Sequence, residues 1–281
     1  MSIDPGVLYI VATPIGNRED MSQRAINVLQ QVDLIAAEDT RHSRPLLNFY
    51  GVQTRLQALH EHNEQQRVPD LVERLQRGLS IALISDAGTP LISDPGYPLV
   101  RACRDVGLRV VPVPGVSAII TALSVSGLPT DRFVFEGFLP ARGGARTRYL
   151  QALLEESRTL VFYESKHRIL DSLLDMQTVF GEDRQVVVAR ELTKTFETIK
   201  GGTLAEILSW IQADSDQQRG EFVIMLHGYV ADKSDELNPE HERVLRILLA
   251  DLPVKQATHL AAEILDARRN DLYKLALQIK E

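Results

Sequence analysis

Short apolar segments typical of buried strands alternate with segments of helical periodicity along the first 230 residues. Such alternation favours an α/β fold with a largely parallel sheet that helices cover on both faces. The order in the first half is strand "VLYIVATPIGN", helix "SQRAINVLQQV", strand "DLIAAED", helix "VPDLVERLQRG", strand "SIALISD", helix "YPLVRACRDVG", strand "RVVPVPG" and helix "VSAIITALSVSG".

The alternation resumes after residues 129–148, which we interpret as a crossing between two domains. The second series is helix "YLQALLEES", strand "TLVFYES", helix "HRILDSLLDMQTVF", strand "QVVVARELT", helix "TLAEILSWIQ" and strand "GEFVIMLHG". A polar linker follows at 231–239, and then three helices broken at Pro253 and at "DARRN". The predicted domains are an α/β domain at 1–130, a second α/β domain at 131–230 and a helical tail at 240–281.

The composition is that of a folded protein rather than a membrane-spanning or disulfide-rich one. Hydrophobic residues make up 44% and charged residues 25% of the 281 residues, and the net charge is −7. The apolar segment "GVSAIITALSVSGL" is shorter than the roughly 20 residues that cross a bilayer, and the N-terminus does not resemble a signal peptide. The single cysteine, Cys103, has the spacing of a core residue and fits a reducing compartment. We expect a cytoplasmic protein without membrane contact.

The stretch "ISDAGTPLISDPGYPLV" at 84–100 places two Ser-Asp pairs and several Gly and Pro residues directly after a predicted strand. In open α/β sheets, ligands bind beyond the carboxyl ends of strands, where loops offer free backbone groups. Asp86 therefore either accepts a hydrogen bond from a ligand or braces its loop. For Asp94 an Asx turn or the N-cap of the following helix is the favoured interpretation.

Several common nucleotide and hydrolase motifs are absent from the sequence. It contains no G-x-G-x-x-G after the first strand, no G-x-x-x-x-G-K-[ST] and no G-x-S-x-G. The loops "TPIGN", "SDAGTP" and "PGVSA" contain no Lys or Arg. The pattern favours a nucleoside or a zwitterion held by backbone contacts over a polyphosphate.

Charged residues gather after three other predicted strands, in "AAEDTRHSR", "FYESKHR" and "ARELTKTFE". They indicate a site assembled from both α/β domains, although a solvated rim of loops is the alternative. "HEHNE" at 60–64 would present His60, His62 and Glu64 on one face of a strand, but we expect a polar surface there and no metal. In "PARGGARTR", Arg142, Arg146 and Arg148 would lie on a flexible loop that either clamps RNA phosphates or only aids solubility.

Taken in order, eight motifs resemble the tetrapyrrole methylase superfamily of S-adenosylmethionine-dependent methyltransferases. The resemblance covers about residues 6–230 and is closest to the branch that methylates the 2′-oxygen of a cytidine in the decoding region of 16S ribosomal RNA. It implies two α/β domains with S-adenosylmethionine in the cleft between them, a homodimer, and the small ribosomal subunit or its RNA as partner. The motifs are "VATPIGN", "AAEDTR", "HEHN", "ISDAGTPLISDPG", "PVPGVSA", "FYES.HR", "ARELTK..E" and "GEFV".

The resemblance also implies which positions contact the cofactor. They lie in the loop after the third predicted strand, in "PGVSA", and in the loops of the second domain that close the site. The positions are Asp86, Ala87, Thr89, Ile92, Val116, Ser117, Ala118, Tyr163, Glu164, Ala189, Arg190, Glu221 and Phe222.

Transfer of a methyl group to a ribose hydroxyl requires a group that removes the hydroxyl proton. We expect Glu191 or Glu38 to be this base, with Lys166, Arg190 and Arg41 organising the phosphate and ribose. The loop "TPIGN" departs from the G-x-G-x-G of tetrapyrrole-modifying relatives and so favours RNA. The alternatives are a methyltransferase for a small tetrapyrrole precursor, a non-catalytic RNA-binding protein of ribosome assembly, and, more distantly, a metal hydrolase.

Overall fold

A computed structural model describes residues 3–230, 239–265 and 267–280. The chain divides into two compact units, Met1–Gly228 and Tyr229–Glu281. Most of the predicted linker at 231–239 lies outside the described residues.

The first sheet is entirely parallel, as the alternating pattern predicts. Its strand order is β3-β2-β4-β1-β5, and every residue of β2 and β4 is buried because helices cover both faces. The strands are β1 Val7–Val11, β2 Leu34–Ala37, β3 Leu56–Ala58, β4 Ile81–Ile84 and β5 Arg109–Val113.

Five helices lie along this part of the chain, of which the first four accompany this sheet and the fifth packs against the second sheet. Ser22 caps the first by accepting a hydrogen bond from the backbone N–H of Ala25 (3.1 Å). Cys103, on the fourth helix, is fully buried as expected. The helices are α1 Gln23–Gln31, α2 Thr40–Phe49, α3 Glu64–Gln76, α4 Tyr97–Asp105 and α5 Ala118–Ser126.

The second sheet is mixed, so the prediction of a largely parallel sheet is wrong here. The strand order is β6-β7-β10-β8-β9, and among the neighbouring pairs only β6 and β7 are parallel to each other. The antiparallel pairing is caused by β9, which forms a hairpin with β8 and so reverses the direction of the chain. The next strand, β10, therefore runs antiparallel to β7 and β8. The strands are β6 Phe133–Phe138, β7 Thr159–Ser165, β8 Gln185–Arg190, β9 Thr198–Thr203 and β10 Glu221–Leu226.

Besides α5, the helices of this sheet are α6 Gly143–Gln151, α7 Ile169–Phe180 and α8 Leu204–Ala213. The prediction of a flexible loop at 140–148 is therefore wrong, because α6 begins at Gly143. Arg146 lies on its buried face, with 5% of the side chain exposed, and pairs with Asp175 of α7 (Nε–Oδ2 2.6 Å). The segment 129–148 contains β6 in addition to a crossing.

The described residues of the second unit form three helices, as predicted, with a break at Pro253. They are α9 Pro239–Asp251, α10 Val254–Leu265 and α11 Arg269–Lys280. Leu245, Ala261, Leu272 and Ala276 form their common core. Within the described residues of the whole chain, none of the helices has the length and apolar character that a bilayer span requires.

Candidate active site

A pocket of about 780 Å³ opens where loops of the first sheet face loops of the second. Its volume lies within the range of roughly 300–1,000 Å³ that is usual for small-molecule sites. The first sheet contributes residues after the carboxyl ends of β1, β4 and β5, which is where a parallel sheet leaves loop backbone available. The second contributes residues after β7 and β8 and at the start of β10.

Hydrogen bonds between loops fix the first-sheet wall. Gly88 and Thr13 exchange backbone hydrogen bonds of 3.0 and 2.9 Å, and the Thr89 hydroxyl donates to the carbonyl of Val116 (2.9 Å). Gly88 has φ +82°, and a Cβ there would approach Ile15 Cγ2 to 3.3 Å. Glycine is therefore required for the close approach of these loops.

Most of the predicted cofactor-binding positions lie in the pocket wall. Their contact with a cofactor stays a prediction, but the structure brings together residues that are up to 135 positions apart between Ala87 and Phe222. Those in the wall are Ala87, Thr89, Ile92, Ser117, Ala118, Tyr163, Glu164, Ala189, Glu221 and Phe222.

Asp86 and Val116 support the wall, but in the described structure they do not line it. The carboxylate of Asp86 accepts a hydrogen bond from the backbone N–H of Asp39 (3.1 Å), which ties the loop after β4 to the loop after β2. This geometry corresponds to the bracing interpretation of Asp86. Val116 contributes the carbonyl that holds Thr89.

Arg190 is buried and is likewise not one of the described residues that line the pocket. Its guanidinium donates to the carbonyls of Arg219 (2.6 Å) and Phe196 (3.1 Å). These bonds hold two loops of the second sheet together. The expectation that Arg190 organises a phosphate therefore does not fit the structure, because its donors are directed to the protein backbone.

Glu191, an expected base, lines the pocket next to Lys194. Lys194 Nζ donates to its carboxylate (2.9 Å), and so does the backbone N–H of Glu221 (3.0 Å). Burial acts to raise the pKa of Glu191, but these hydrogen bonds and the neighbouring cations lower it below its ordinary value. A carboxylate engaged in this way is a weak proton acceptor.

The other two expected catalytic residues differ in position. Glu38 is not among the described residues of the pocket wall; its carboxylate accepts from the backbone N–H of Asp86 (3.4 Å). Burial raises the pKa of Glu38, and the charge of Asp86 adds to the effect. Lys166 lies in the wall contributed by the second sheet.

Asp94 is the pocket residue whose role the sequence analysis missed. Gly96, not Asp94, is the N-cap of α4, so the N-cap alternative for Asp94 is wrong, whereas the Asx turn stays a prediction. Asp94 instead lines the pocket, where burial raises its pKa to about 7, with smaller contributions from the charges of Glu38 and Asp86. The repeated Ser-Asp phrase was the available signal, but it did not distinguish a turn from a site.

The "HEHNE" segment is not a strand. It follows β3 as a turn, and Glu64 is already the first residue of α3. Among the described residues, no group of three or more His, Cys, Asp or Glu side chains has an arrangement that could hold a metal ion. The buried carboxylate of Glu64 accepts a hydrogen bond from the backbone N–H of Gly96 (2.5 Å), which anchors the loop before α4.

The arginines predicted to bind RNA fall into two groups. Arg41, Arg142 and Arg148 are exposed, although Arg41 also pairs with Asp39 (2.7 Å). Arg146 is buried against Asp175 and has no exposed face for a phosphate. An RNA clamp made of all three arginines in "PARGGARTR" is therefore incompatible with α6.

Two family profiles match the sequence. The profile described as Tetrapyrrole (Corrin/Porphyrin) Methylases matches residues 7–208, which include the first sheet and the second sheet as far as β9, and the match ends within α8. The profile described as the RsmI C-terminal HTH domain matches residues 235–280.

Relatives of known function extend over nearly the whole chain. Ribosomal RNA small subunit methyltransferase I of Escherichia coli O157:H7 is 57% identical over 273 residues, covering 97% of this chain and 95% of the relative. The protein of that name from Pseudomonas aeruginosa is also 57% identical, over 274 residues and 97% of each chain. The solved structure of a cobalt precorrin-4 methyltransferase matches with a TM-score of 0.59 over 79% of this chain and 95% of its own, at 16% identity, and so supports the fold.

Proposed function

The chain belongs to the tetrapyrrole methylase family of methyltransferases, and from this premise we propose that it methylates the 2′-oxygen of a cytidine in the decoding region of 16S ribosomal RNA, with S-adenosylmethionine as methyl donor. The observation that carries the proposal is the 57% identity to ribosomal RNA small subunit methyltransferases I across the pocket loops and the helical tail. The proposal includes a cytoplasmic homodimer that acts on the small ribosomal subunit or its RNA.

The pocket wall of the first sheet fits a nucleoside with a positive charge and no phosphate. It consists of loop backbone and small or apolar side chains such as Ala87, Ser117 and Ala118. Among the described residues of this wall, the one ionisable side chain is that of Asp94. When bound, S-adenosylmethionine supplies an electrophilic methyl group on a sulfonium, and the described residues of this wall include no cationic side chain that would repel it.

Two aromatic side chains of the second sheet also line the pocket. The rings of Phe138 and Tyr163 lie 5.6 Å apart, and both residues line the pocket. A sulfonium or a nucleobase is attracted to the face of such a ring. Phe138 is 52% exposed, so its ring is available to a ligand.

The wall contributed by the second sheet differs in that it carries basic side chains. They are Lys166, His167, Lys194 and Arg219, and they lie among Glu164, Glu191 and Glu221 of the same wall. We expect the basic groups to hold the phosphodiester backbone on either side of the target ribose. The two walls therefore suit two different ligands. The target cytidine has to leave its base stack to reach the pocket, which favours a single-stranded or splayed segment of RNA.

The test is methyl transfer from S-adenosylmethionine with a labelled methyl group to 30S subunits that lack the modification. We expect one labelled 2′-O-methylcytidine in 16S RNA, identified by mass spectrometry of nuclease fragments, and its absence from cells without the gene. Label on a tetrapyrrole precursor instead of RNA would favour the small-molecule alternative. Calorimetry that shows no binding of the methyl donor would favour a non-catalytic RNA-binding protein.

A further inference from the structure

The loop between β4 and α4 has an unusual backbone conformation. Leu91 and Ser93 have φ values of +74° and +67°, in the left-handed region that side chains other than glycine seldom occupy. Gly96 has φ +123°, and a Cβ there would lie 2.5 Å from Leu83 Cδ2. Backbone strain of this kind persists only where the surrounding structure fixes it, and it is concentrated at functional sites.

This conformation is anchored from α3 and places Asp94 in the pocket. Glu64 is buried and accepts the hydrogen bond from the N–H of Gly96, while Pro95 and Gly96 are themselves buried. Ile92, Ser93 and Asp94 then follow one another along the pocket wall. The strained loop thus fixes the position of one carboxyl group in the part of the wall that otherwise lacks charge.

We propose that Asp94 is the catalytic base that accepts the proton of the ribose 2′-hydroxyl. The inference rests on the proposed function and adds a residue to it. The hydroxyl oxygen loses its proton to the Asp94 carboxylate as it bonds to the methyl carbon, and the electron pair of the broken carbon–sulfur bond remains on sulfur. No further reactant is needed.

Asp94 is better placed for this task than either base expected from the sequence. The Glu191 carboxylate accepts hydrogen bonds from Lys194 and from the backbone N–H of Glu221, and its lowered pKa makes it a weak base. Glu38 is not one of the described pocket-wall residues. Asp94 has a pKa of about 7, close to the pH at which the reaction takes place, and a general base is most effective under that condition.

Burial, together with the charged groups around it, explains why Asp94 retains a proton to this pH. Burial is the largest cause, and Glu38 and Asp86 face it from the first sheet with negative charge. The Ser85 hydroxyl opposes them by donating a hydrogen bond to the carboxylate. Tyr163 approaches from β7, and burial raises the pKa of its phenol to about 12, so that it stays neutral. Besides Tyr163, the ionisable groups among the described residues in the wall of the second sheet are Glu164, Lys166, His167, Glu191, Lys194, Arg219 and Glu221.

The experiment compares the wild type with Asp94→Asn and with the surface control Asp105→Asn, using labelled methyl transfer to 30S subunits. We expect Asp94→Asn to lower kcat roughly 10²- to 10⁴-fold and to remove the acidic limb of the pH–rate profile. Its affinity for S-adenosylmethionine in calorimetry should change less than about threefold. Asp105, which is exposed and pairs with Arg101, should give wild-type values.

A second readout does not depend on activity. In the wild-type protein without ligands, ¹³C NMR of labelled aspartate side chains should show one carboxyl that titrates near pH 7, and Asp94→Asn should remove this signal. The proposal is overturned if no aspartate titrates between about pH 6 and 8, or if Asp94→Asn keeps kcat within about threefold of an active wild type. A wild type that transfers no methyl group to RNA would instead contradict the proposed function.

Discussion

The raised pKa of Asp94 has a consequence for stability that can be measured apart from catalysis. Burial raises its pKa from 3.8 to about 7, so between these values the native protein holds a proton that the unfolded chain has lost. The free energy of unfolding therefore falls as the pH rises from about 4 to about 7. Asp94→Asn should be more stable than the wild type at pH 8 by on the order of 1–2 kcal/mol, given the partial exposure of the group.

Urea denaturation of both proteins at about pH 5 and pH 8 measures this difference. The difference should shrink at the lower pH, where the native wild type keeps its proton. An equal difference at both pH values would show that Asp94 does not titrate in this range in the folded protein.

Arg146 and its neighbours illustrate how burial divides residues of one type into different roles. The Arg146 guanidinium is almost fully buried against Asp175, whereas Arg142 and Arg148 are exposed. Arg146→Ala should lower the free energy of unfolding by about 2–4 kcal/mol, because it removes a buried ion pair and its packing. The matched controls Arg142→Ala and Arg148→Ala should change it by less than about 0.5 kcal/mol.

Glu164 stabilises the junction between β7 and α7. Its carboxylate is fully buried and accepts from the Ser172 hydroxyl (2.6 Å) and the N–H of Ser165 (2.7 Å), and it pairs with Arg168 (2.9 Å). Glu164→Ala should therefore lower the free energy of unfolding by about 2–4 kcal/mol, since it removes two hydrogen bonds to a buried carboxylate and the ion pair with the half-buried Arg168. Denaturant titration measures this cost, with the exposed Glu155→Ala as control.

The same variant separates two roles for Glu164. If Glu164 acts only through this junction, the folded fraction of Glu164→Ala should bind S-adenosylmethionine with nearly unchanged affinity in calorimetry. Full stability together with lost affinity would instead indicate direct contact with the cofactor.

At the level of elements, the sequence predicts those that have an apolar signal and misses those that lack one. β9, "TIKGGT", contains two glycines and a lysine and forms an edge of its sheet, so nothing in its pattern indicates that the chain reverses there. β3 has only three residues, and α2 is polar and contains Pro45. The position of the pocket follows from the strand ends, whereas the role of Asp94 depends on tertiary anchoring that the sequence does not reveal.

On the scale of the whole molecule, we expect cofactor binding to depend on the first unit alone and RNA binding to depend on both units. The pocket residues all belong to the unit Met1–Gly228. The tail from 239 to 281 has seven acidic and seven basic residues, so its overall charge does not attract RNA. Residues 235–280 match the profile of a C-terminal HTH domain, and helix-turn-helix domains in general place one helix against nucleic acid. We therefore predict that the tail contacts RNA through particular residues of its helices.

A chain that ends after Val230 tests this division. Because the first unit has its own cores, it should remain folded and bind S-adenosylmethionine with a Kd within about threefold of the full chain. Its affinity for 30S subunits should fall at least about tenfold, equivalent to 1.4 kcal/mol, through the loss of RNA contacts made by the tail. Calorimetry measures the first quantity and filter binding the second. Unchanged affinity for the subunit would assign RNA recognition to the exposed cations of the first unit, whereas loss of cofactor binding would show that the tail supports the pocket.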